Sequence, residues 1–107
     1  MTIVKFYLQN SKVKGFEIKG HSGYAPQGED IVCAAVSSAA YMAANTITEV
    51  SGAEADIISE DGYFKLLLKE DDSVSEAVLS GMKLHLMEVS KQYPQFISII
   101  FGGVKNA

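Results

Sequence analysis

The alanine-rich stretch 31–50 constrains the fold more than any other part of the sequence. It contains neither Pro nor Gly, and its apolar residues recur near helical spacing. These residues are Val32, Val36, Ala39, Ala43, Ile47 and Val50. We predict a buried helix with Asp30 as its N-cap and Gly52 just past its C-terminal end. The rest of the chain must therefore supply apolar surface that covers one long helix.

Two strand-like segments precede this helix. Residues 2–8 alternate apolar and polar side chains, and residues 13–19 do the same. Asn10 and Ser11 lie between them as turn residues, and Gly20 marks the end of the second segment. We predict a β-hairpin over these residues.

Three more strand-like segments follow the helix. Residues 55–60 and 63–69 are joined by Asp61-Gly62, a dipeptide that suits the positive φ of a tight hairpin turn. Residues 96–101 are nearly all apolar and β-branched or aromatic. That composition predicts a strand that is covered on both faces or paired centrally.

A second helix is predicted between the second hairpin and the last strand. Ser73 and Glu76 form a capping-box pattern, and the helix should end before Pro94. Its predicted apolar stripe comprises Val74, Ala77, Val78, Gly81, Met82, His85 and Val89. A histidine on such a stripe usually has a structural role, so we do not assign His85 to a site.

The order β-β-α-β-β-α-β predicts an α+β fold: a single layer-type domain, residues 1–107, with two helices packed on a mostly antiparallel sheet. No apolar run approaches the ~20 residues of a membrane span, and the first residues do not resemble a secretion signal. We expect a cytoplasmic protein without membrane contact. The net charge of −4, without a Lys/Arg cluster, argues against direct nucleic-acid binding.

Segment 20–30 is polar and glycine-rich, and apolar periodicity does not explain it. His21 follows the predicted strand directly, and Cys33, the single cysteine, lies in the first turn of the predicted helix. Free N–H groups and the helix dipole at that position favour a thiolate. If the loop folds back, His21 can accept the proton of Cys33 and return it to a leaving amine. These are the roles that a cysteine peptidase requires.

Three further residues are candidates for auxiliary or structural roles at this site. The backbone of Gly20, together with free N–H groups of the helix, can stabilise an oxyanion. Ser37 lies four residues after Cys33 and therefore projects from the same helix face. Asp30 can orient His21, but we favour capping because a carboxylate so close would oppose thiolate formation. The sequence indicates no metal site and no cofactor.

The residues Gly20-His21-Ser22-Gly23, followed by the block GEDIVCAAVS at 28–37, closely resemble the signature of a known family. This is the bacterial ribosomal-processing cysteine protease family, often called Prp. Its pattern joins a Gly-His pair to an Asp-Ile-Val-Cys-Ala-Ala-Val-Ser block through a short glycine-containing loop. Ser22 stands where family members often have alanine.

The resemblance implies that His21 and Cys33 form a catalytic dyad, that Ser37 assists the transition state and that Asp30 supports the site. It also implies a substrate, the short N-terminal extension of a large-subunit ribosomal protein with a Phe-Phe-like segment, and a homodimer. The expected substrate loop, which we predict to close over a bound peptide, contains Ser22, Gly23, Tyr24 and Gly28.

Two other interpretations of the lone cysteine stay open at this point. Cys33 among Ala and Val residues fits a small buried side chain, which would make the chain a non-catalytic ribosome-assembly or peptide-binding module. An exposed and readily ionised thiol would also fit a redox sensor. The reactivity of the thiol and the cleavage of a substrate peptide separate these interpretations.

Overall fold

The computed structural model describes residues 1–20 and 27–104, and for residues 27–30 the backbone alone. The described residues follow the order β-β-α-β-β-α-β, as predicted. The strands are β1 (Thr2–Gln9), β2 (Lys12–Lys19), β3 (Ala55–Glu60), β4 (Tyr63–Leu68) and β5 (Ile97–Gly103). The helices are α1 (Gln27–Asn45) and α2 (Ser73–Gln92), and a π-helical turn, Thr46–Val50, continues α1.

The strands form one sheet in the order β3-β4-β2-β1-β5. Among the described strands, β1 pairs in parallel with β5 and the other pairs are antiparallel. Alternate strand residues such as Val4, Phe6 and Phe16 are buried in one cluster with Val32 of α1 and Leu79 of α2. Both helices therefore pack on the same face of the sheet, which confirms the predicted α+β fold.

Both hairpin turns lie where the sequence predicts them. Asn10 and Ser11 connect β1 to β2 with φ angles of 53° and 67°, both in the left-handed region. Gly62, with a φ of 75°, lies in the turn between β3 and β4. Positive φ at the centre of such turns matches the right-handed twist of the strands that they join.

Helix α1 begins at Gln27, so the predicted start at residue 31 and the N-cap role of Asp30 are wrong. Asp30 is the fourth helical residue. The helix dipole favours acidic residues in the first turn as well as at the N-cap, and the sequence pattern fits both positions. The other end agrees with the prediction, because Gly52 follows the π-helical turn with a φ of 74°.

The segment Ile31–Val50 is long and apolar enough to cross a membrane by length and composition alone. In the fold, Val32, Val36, Ala40 and Ile47 of this segment are almost completely buried in the core. The expectation that no apolar run approaches this length is therefore wrong. The prediction of a buried helix holds for one face only, because 33% of the most apolar window is buried and Val50, which we predicted on the buried stripe, is 81% exposed.

The cap of helix α2 lies one residue before the predicted one. Asp72 is the N-cap, and its carboxylate accepts a hydrogen bond from the N–H of Ser75 at 2.9 Å. The carboxylate of Glu76 accepts from the N–H of Asp72 at 3.2 Å. The predicted role of Ser73 is therefore wrong. Asp and Ser are about equally favoured as N-caps, so their order in the sequence did not decide between them.

The predicted apolar stripe of α2 is also partly wrong. The buried residues are Ser75, Glu76, Leu79, Met82, Leu86 and Val89. Val74, Ala77, Gly81 and His85 are exposed. Because α2 carries apolar residues on more than one face, its sequence pattern alone did not identify the face that packs on the sheet.

An ion pair between Lys14 and Glu76 lies inside the domain. Their exposed fractions are 6% and 7%, and the Nζ of Lys14 donates to the carboxylate of Glu76 and, at 2.7 Å, to that of Asp71. The register of β1 and β2 shifts by one residue between Tyr7 and Leu8, which leaves Lys14 as the extra residue of a β-bulge. The pair therefore connects the first hairpin to the N-terminus of α2.

Strand β5 lies at one edge of the sheet, and its described neighbour is β1. The prediction that this strand is central or covered on both faces is wrong, because Ile100 is 44% and Phe101 48% exposed. Enrichment in β-branched and aromatic residues indicates a pleated strand, and it does not report how many strands lie beside it.

Candidate active site

A cleft of about 590 Å³ opens between α1 and the sheet, at the end where β1 begins and β2 finishes. Its described lining comes from β1, β2, α1 and the hairpin of β3 and β4. Three of the predicted site residues, Gly20, Cys33 and Ser37, border it. The fold therefore brings residues from different elements into one concave surface of the size that small-molecule and peptide side-chain pockets have.

Cys33 is partly buried at this cleft. It is the seventh residue of α1, so the expectation that it lies in the first helical turn is wrong. The free N–H groups of a helix belong to its first four residues, and the dipole acts mainly within the first turn. Both effects are therefore weaker at the sulfur than predicted. A contact that the sequence did not predict is present instead, because Oγ1 of Thr2 lies 3.4 Å from Sγ of Cys33.

Gly20 follows β2 with a φ of 88°, a conformation that side chains other than glycine rarely adopt. A Cβ atom here would lie 2.7 Å from the carbonyl oxygen of Met1. The N–H of Gly20 donates to the carbonyl of Gly62 at 3.0 Å, so it is already engaged and is not free for an oxyanion. Gly20 thus fixes the backbone at the residue that precedes His21.

Several predicted site residues fall outside the described part of the chain. They are His21, Ser22, Gly23 and Tyr24, together with the rest of segment 21–26. Gly28, which we expected in the substrate loop, has helical backbone in α1. Residues 27–30, which we predicted as part of the loop, therefore belong to the helix.

The helix wall of the cleft carries Ser37 and Tyr41, one and two turns after Cys33. Ser37 is exposed and borders the same cleft as the sulfur, which confirms that the two side chains share a helix face. The ring of Tyr41 lies 5.3 Å from that of Phe64, and Phe64 lies 5.5 Å from Phe16. The lining of the cleft therefore includes both polar and aromatic residues.

Tyr63 borders the cleft, but its hydroxyl is engaged with Glu17, which alternates along β2 with the buried Phe16 and Ile18 and therefore lies on the other face of the sheet. Its hydroxyl donates to a carboxylate oxygen of Glu17 at 2.5 Å. This hydrogen bond, with burial and the negative charge of Glu17, raises the pKa of Tyr63 to about 12. Burial would raise the pKa of Glu17, but the bond from Tyr63 and the nearby lysines together hold it below its usual value. The single O–H of Tyr63 is therefore already donated to Glu17, and the phenol stays protonated at neutral pH.

His85 is exposed and borders a different surface, a groove of about 640 Å³ between α1 and α2. The groove is lined largely by small and apolar residues such as Ala39, Met42 and Gly81. This position agrees with the decision not to assign His85 to the Cys33 site. In residues 1–20 and 27–104, no group of three or more His, Cys, Asp or Glu side chains is placed to hold a metal ion.

The family model of cysteine protease Prp matches residues 1–98 of the chain. The chain belongs to this family. A relative, the ribosomal processing cysteine protease Prp of Bacillus subtilis (strain 168), is 29% identical over 101 residues, which cover 85% of this chain and 90% of the relative. The sequence resemblance is thereby confirmed, and with it the enzyme class, a cysteine peptidase.

Solved structures share the fold over almost the whole chain. The ribosomal processing protease Prp from S. aureus, in complex with a substrate peptide, matches with a TM-score of 0.88 at 23% identity, covering 95% of this chain and 100% of that one. SMU.848 from Streptococcus mutans matches with a TM-score of 0.84 at 19% identity, covering 97% and 99%. At these identities the likeness shows the fold alone.

Sequence reasoning missed Thr2, Tyr41 and Tyr63 as residues of the cleft. A signal existed for Tyr41, since positions 33, 37 and 41 follow one another at intervals of four on a helix. Thr2 and Tyr63 have no such local signal. Strand pairing brings them to the cleft, and the sequence does not specify that pairing.

Proposed function

We propose that the chain is a cysteine endopeptidase that removes the short N-terminal extension of a large-subunit ribosomal protein during ribosome maturation. In this proposal Cys33 is the nucleophile and His21 the base. The observation that carries it is that Cys33 and Gly20, the residue before His21, border the same cleft although they belong to different elements. The family and the processing activity named for the B. subtilis relative support the same reaction.

The reaction follows from the chemistry of the two side chains. His21 accepts the proton of Cys33, and the thiolate attacks the carbonyl carbon of the scissile peptide bond. The C–N bond breaks as the imidazolium gives its proton to the leaving amine, which leaves a thioester on Cys33. Water then loses a proton to the imidazole, attacks the thioester and restores the thiol.

Ser37 is the described donor best placed to stabilise the oxyanion. Its hydroxyl is exposed at the cleft one turn from Cys33, whereas the N–H of Gly20 already bonds to Gly62. A positioned donor of this kind contributes to the transition state because negative charge develops on the carbonyl oxygen only there.

The aromatic residues that border the cleft suit a substrate with aromatic side chains. Ile18, Tyr41 and Phe64 border it, and ring pairs favour centroid separations of about 4.5–7 Å. A Phe-Phe-like segment can therefore place a ring against Tyr41 and Phe64. This contact would hold the extended peptide while the bond to be cleaved lies at Cys33.

The test is incubation of the purified protein with ribosomal-protein precursors that carry N-terminal extensions, followed by mass analysis of the products. We expect one shortened product from the wild-type protein. Cys33→Ala should bind the precursor and leave it intact, and His21→Ala should lose about a thousandfold or more in kcat. Cleavage that persists in Cys33→Ala would exclude the mechanism, and an uncleaved but bound precursor would favour an assembly module.

Two neighbouring serines provide a matched test of the oxyanion role. Ser37 and Ser38 are both exposed on α1, but Ser37 borders the Cys33 cleft and Ser38 the groove between the helices. Ser37→Ala should lower kcat about tenfold or more with little change in KM, and Ser38→Ala should leave both constants unchanged. Equal effects of the two changes would remove Ser37 from the proposed mechanism.

We also propose that the protein acts in the cytoplasm, where ribosomal precursors are made.

We propose further that the protein is a homodimer. The groove between α1 and α2 supports the dimer, because Met42 at its border is 59% exposed among small residues that permit close approach. Met42→Glu should shift sedimentation toward the monomer. Val50→Glu, at an apolar residue that is 81% exposed outside the groove, is the control and should not. A monomeric wild-type protein would exclude the dimer.

A further inference from the structure

Thr2 is the polar member of an otherwise apolar strand face. The face of β1 that points to the core continues with Val4 and Phe6, both fully buried. Thr2 itself is only 2% exposed. Its N–H donates to the carbonyl of Phe96 at 2.9 Å. The backbone at Thr2 is therefore fixed by the sheet, and a hydroxyl at this point needs a partner inside the protein.

The sulfur of Cys33 is such a partner, with Sγ 3.4 Å from Oγ1 of Thr2. Between the neutral groups either the hydroxyl or the thiol can be the donor, whereas a thiolate can only accept and accepts much more strongly because it carries a full negative charge. The bond between the two groups therefore strengthens when the thiol loses its proton. It favours the ionised form of a sulfur that is partly buried and only partly hydrated.

We propose that Thr2 is a positioning residue for Cys33: its hydroxyl donates a hydrogen bond to the thiolate, which stabilises the charged sulfur and orients it toward the cleft. Thr2 has almost no exposed surface, so it acts through Cys33 and does not contact the peptide. The catalytic part of this inference rests on the proposed peptidase function. The effect on ionisation of the thiol does not.

Other residues with ionisable side chains border the same cleft and must be kept constant in the test. In the described part of the chain these are Tyr41, Glu60, Asp61 and Tyr63, whose hydroxyl is engaged with Glu17. A change at Thr2 alone leaves all four residues in place.

Thr2→Val removes the hydroxyl and keeps the β-branched shape, whereas Thr2→Ser keeps the hydroxyl. The full chain, with its native first residues and any purification tag at the C-terminus, is alkylated with iodoacetamide from acid to alkaline pH. In Thr2→Val we expect the midpoint of reactivity to rise by about half to one pH unit, equivalent to a three- to tenfold loss of rate at neutral pH. Thr2→Ser should restore most of that loss. Thiolate absorbance gives a second measurement of the same midpoint.

Peptide cleavage provides the separate readout that depends on the proposed function. Thr2→Val should lower kcat by a similar factor without changing KM, because Thr2 is only 2% exposed and acts through the sulfur. If the wild-type protein cleaves no precursor, the peptidase proposal fails while the alkylation midpoints still test Thr2. An unchanged midpoint in folded Thr2→Val would overturn the inference. Should that variant not fold, the comparison of Thr2→Ala with Thr2→Ser decides in the same way.

Discussion

Replacement of Lys14 by Met should destabilise the fold through the carboxylate that it leaves behind. Lys14 bonds to the buried Glu76 and to Asp71, and Met keeps most of the length of the side chain without its charge. Breaking a buried ion pair by removing one partner costs about 3–5 kcal/mol in general, because the other charge stays buried. Two groups remain near Glu76: the N–H of Asp72 at 3.2 Å and the Nζ of Lys12 at 3.8 Å. We therefore expect the low end of that range, about 3 kcal/mol.

The pH dependence of the loss has a definite sign. The hydrogen bond from Lys14, opposed by burial, holds the pKa of Glu76 below its usual value. The stabilisation that the ionised Glu76 provides is therefore present at pH values above its ordinary pKa of about 4.3. It disappears as the pH falls through the lower pKa of the folded state. Burial would lower the pKa of Lys14, but its bonds to Asp71 and Glu76 raise it overall. The stabilisation that the protonated Lys14 provides is therefore present below about pH 10.4, the ordinary pKa of a lysine. It disappears as the pH rises through the higher pKa of the folded state.

Urea denaturation of the wild-type protein and Lys14→Met, followed by circular dichroism, measures the difference. Near pH 7 the free energies of unfolding should differ by about 3 kcal/mol, or about 10 °C or more in Tm for a domain of this size. The difference should shrink below about pH 4 and above about pH 11. The double change Lys14→Met with Glu76→Leu should recover much of the stability, because no unpaired charge stays buried. A loss below about 1 kcal/mol for the single change would show that water solvates Glu76, and the reasoning would fail.

Two backbone positions give further predictions, each with its own control. Ser11→Gly should stabilise the protein by about 0.5–1 kcal/mol in urea denaturation, because Ser11 has a φ of 67°, a conformation that glycine adopts without strain. The control Ser51→Gly, at a φ of −80°, should be neutral or destabilising. Gly20→Ala should cost more stability than Gly52→Ala and should also slow peptide cleavage. Both glycines have a positive φ, so the backbone strain of an alanine is similar at the two positions. A Cβ at Gly20 would lie 2.7 Å from the carbonyl oxygen of Met1, whereas nothing lies within 4 Å of a Cβ at Gly52. Equal losses at the two glycines would mean that backbone strain, and not this contact, sets the cost.

The sequence predicted elements well where one local rule was sufficient. Alternation predicted β1 and β2, composition predicted β5, and Asn10-Ser11 and Asp61-Gly62 predicted the hairpin turns that the structure has. It failed where two local rules compete. Asp30 fits an N-cap and a first-turn position alike, and the start of α1 at Gln27 was missed for that reason. The burial of α2 was misassigned because it depends on which face meets the sheet, and that is a property of the tertiary fold.

The candidate site was predictable only along the helix. Cys33 and Ser37 share a face because of helical spacing, and the structure has both at the cleft. Thr2 was not predictable, because its place beside the sulfur depends on where β1 lies under α1. The role of His21 rests on the family resemblance and on the position of Gly20, since His21 lies outside the described residues.

The β-bulge at Lys14 allows the first hairpin to combine a two-residue turn with the strand register found at the candidate site. The two-residue turn pairs Leu8 with Val13, and without a bulge this register would place Phe6 opposite Gly15. Phe16 would then fall on the face away from the helices, since a shift of one residue moves a side chain to the other side of a sheet. The extra residue restores the pair of Phe6 with Phe16, and the same register continues to the end of β2, where Gly20 meets Met1. The ion pair that stabilises the bulge therefore also maintains the register on which the surroundings of the candidate nucleophile depend.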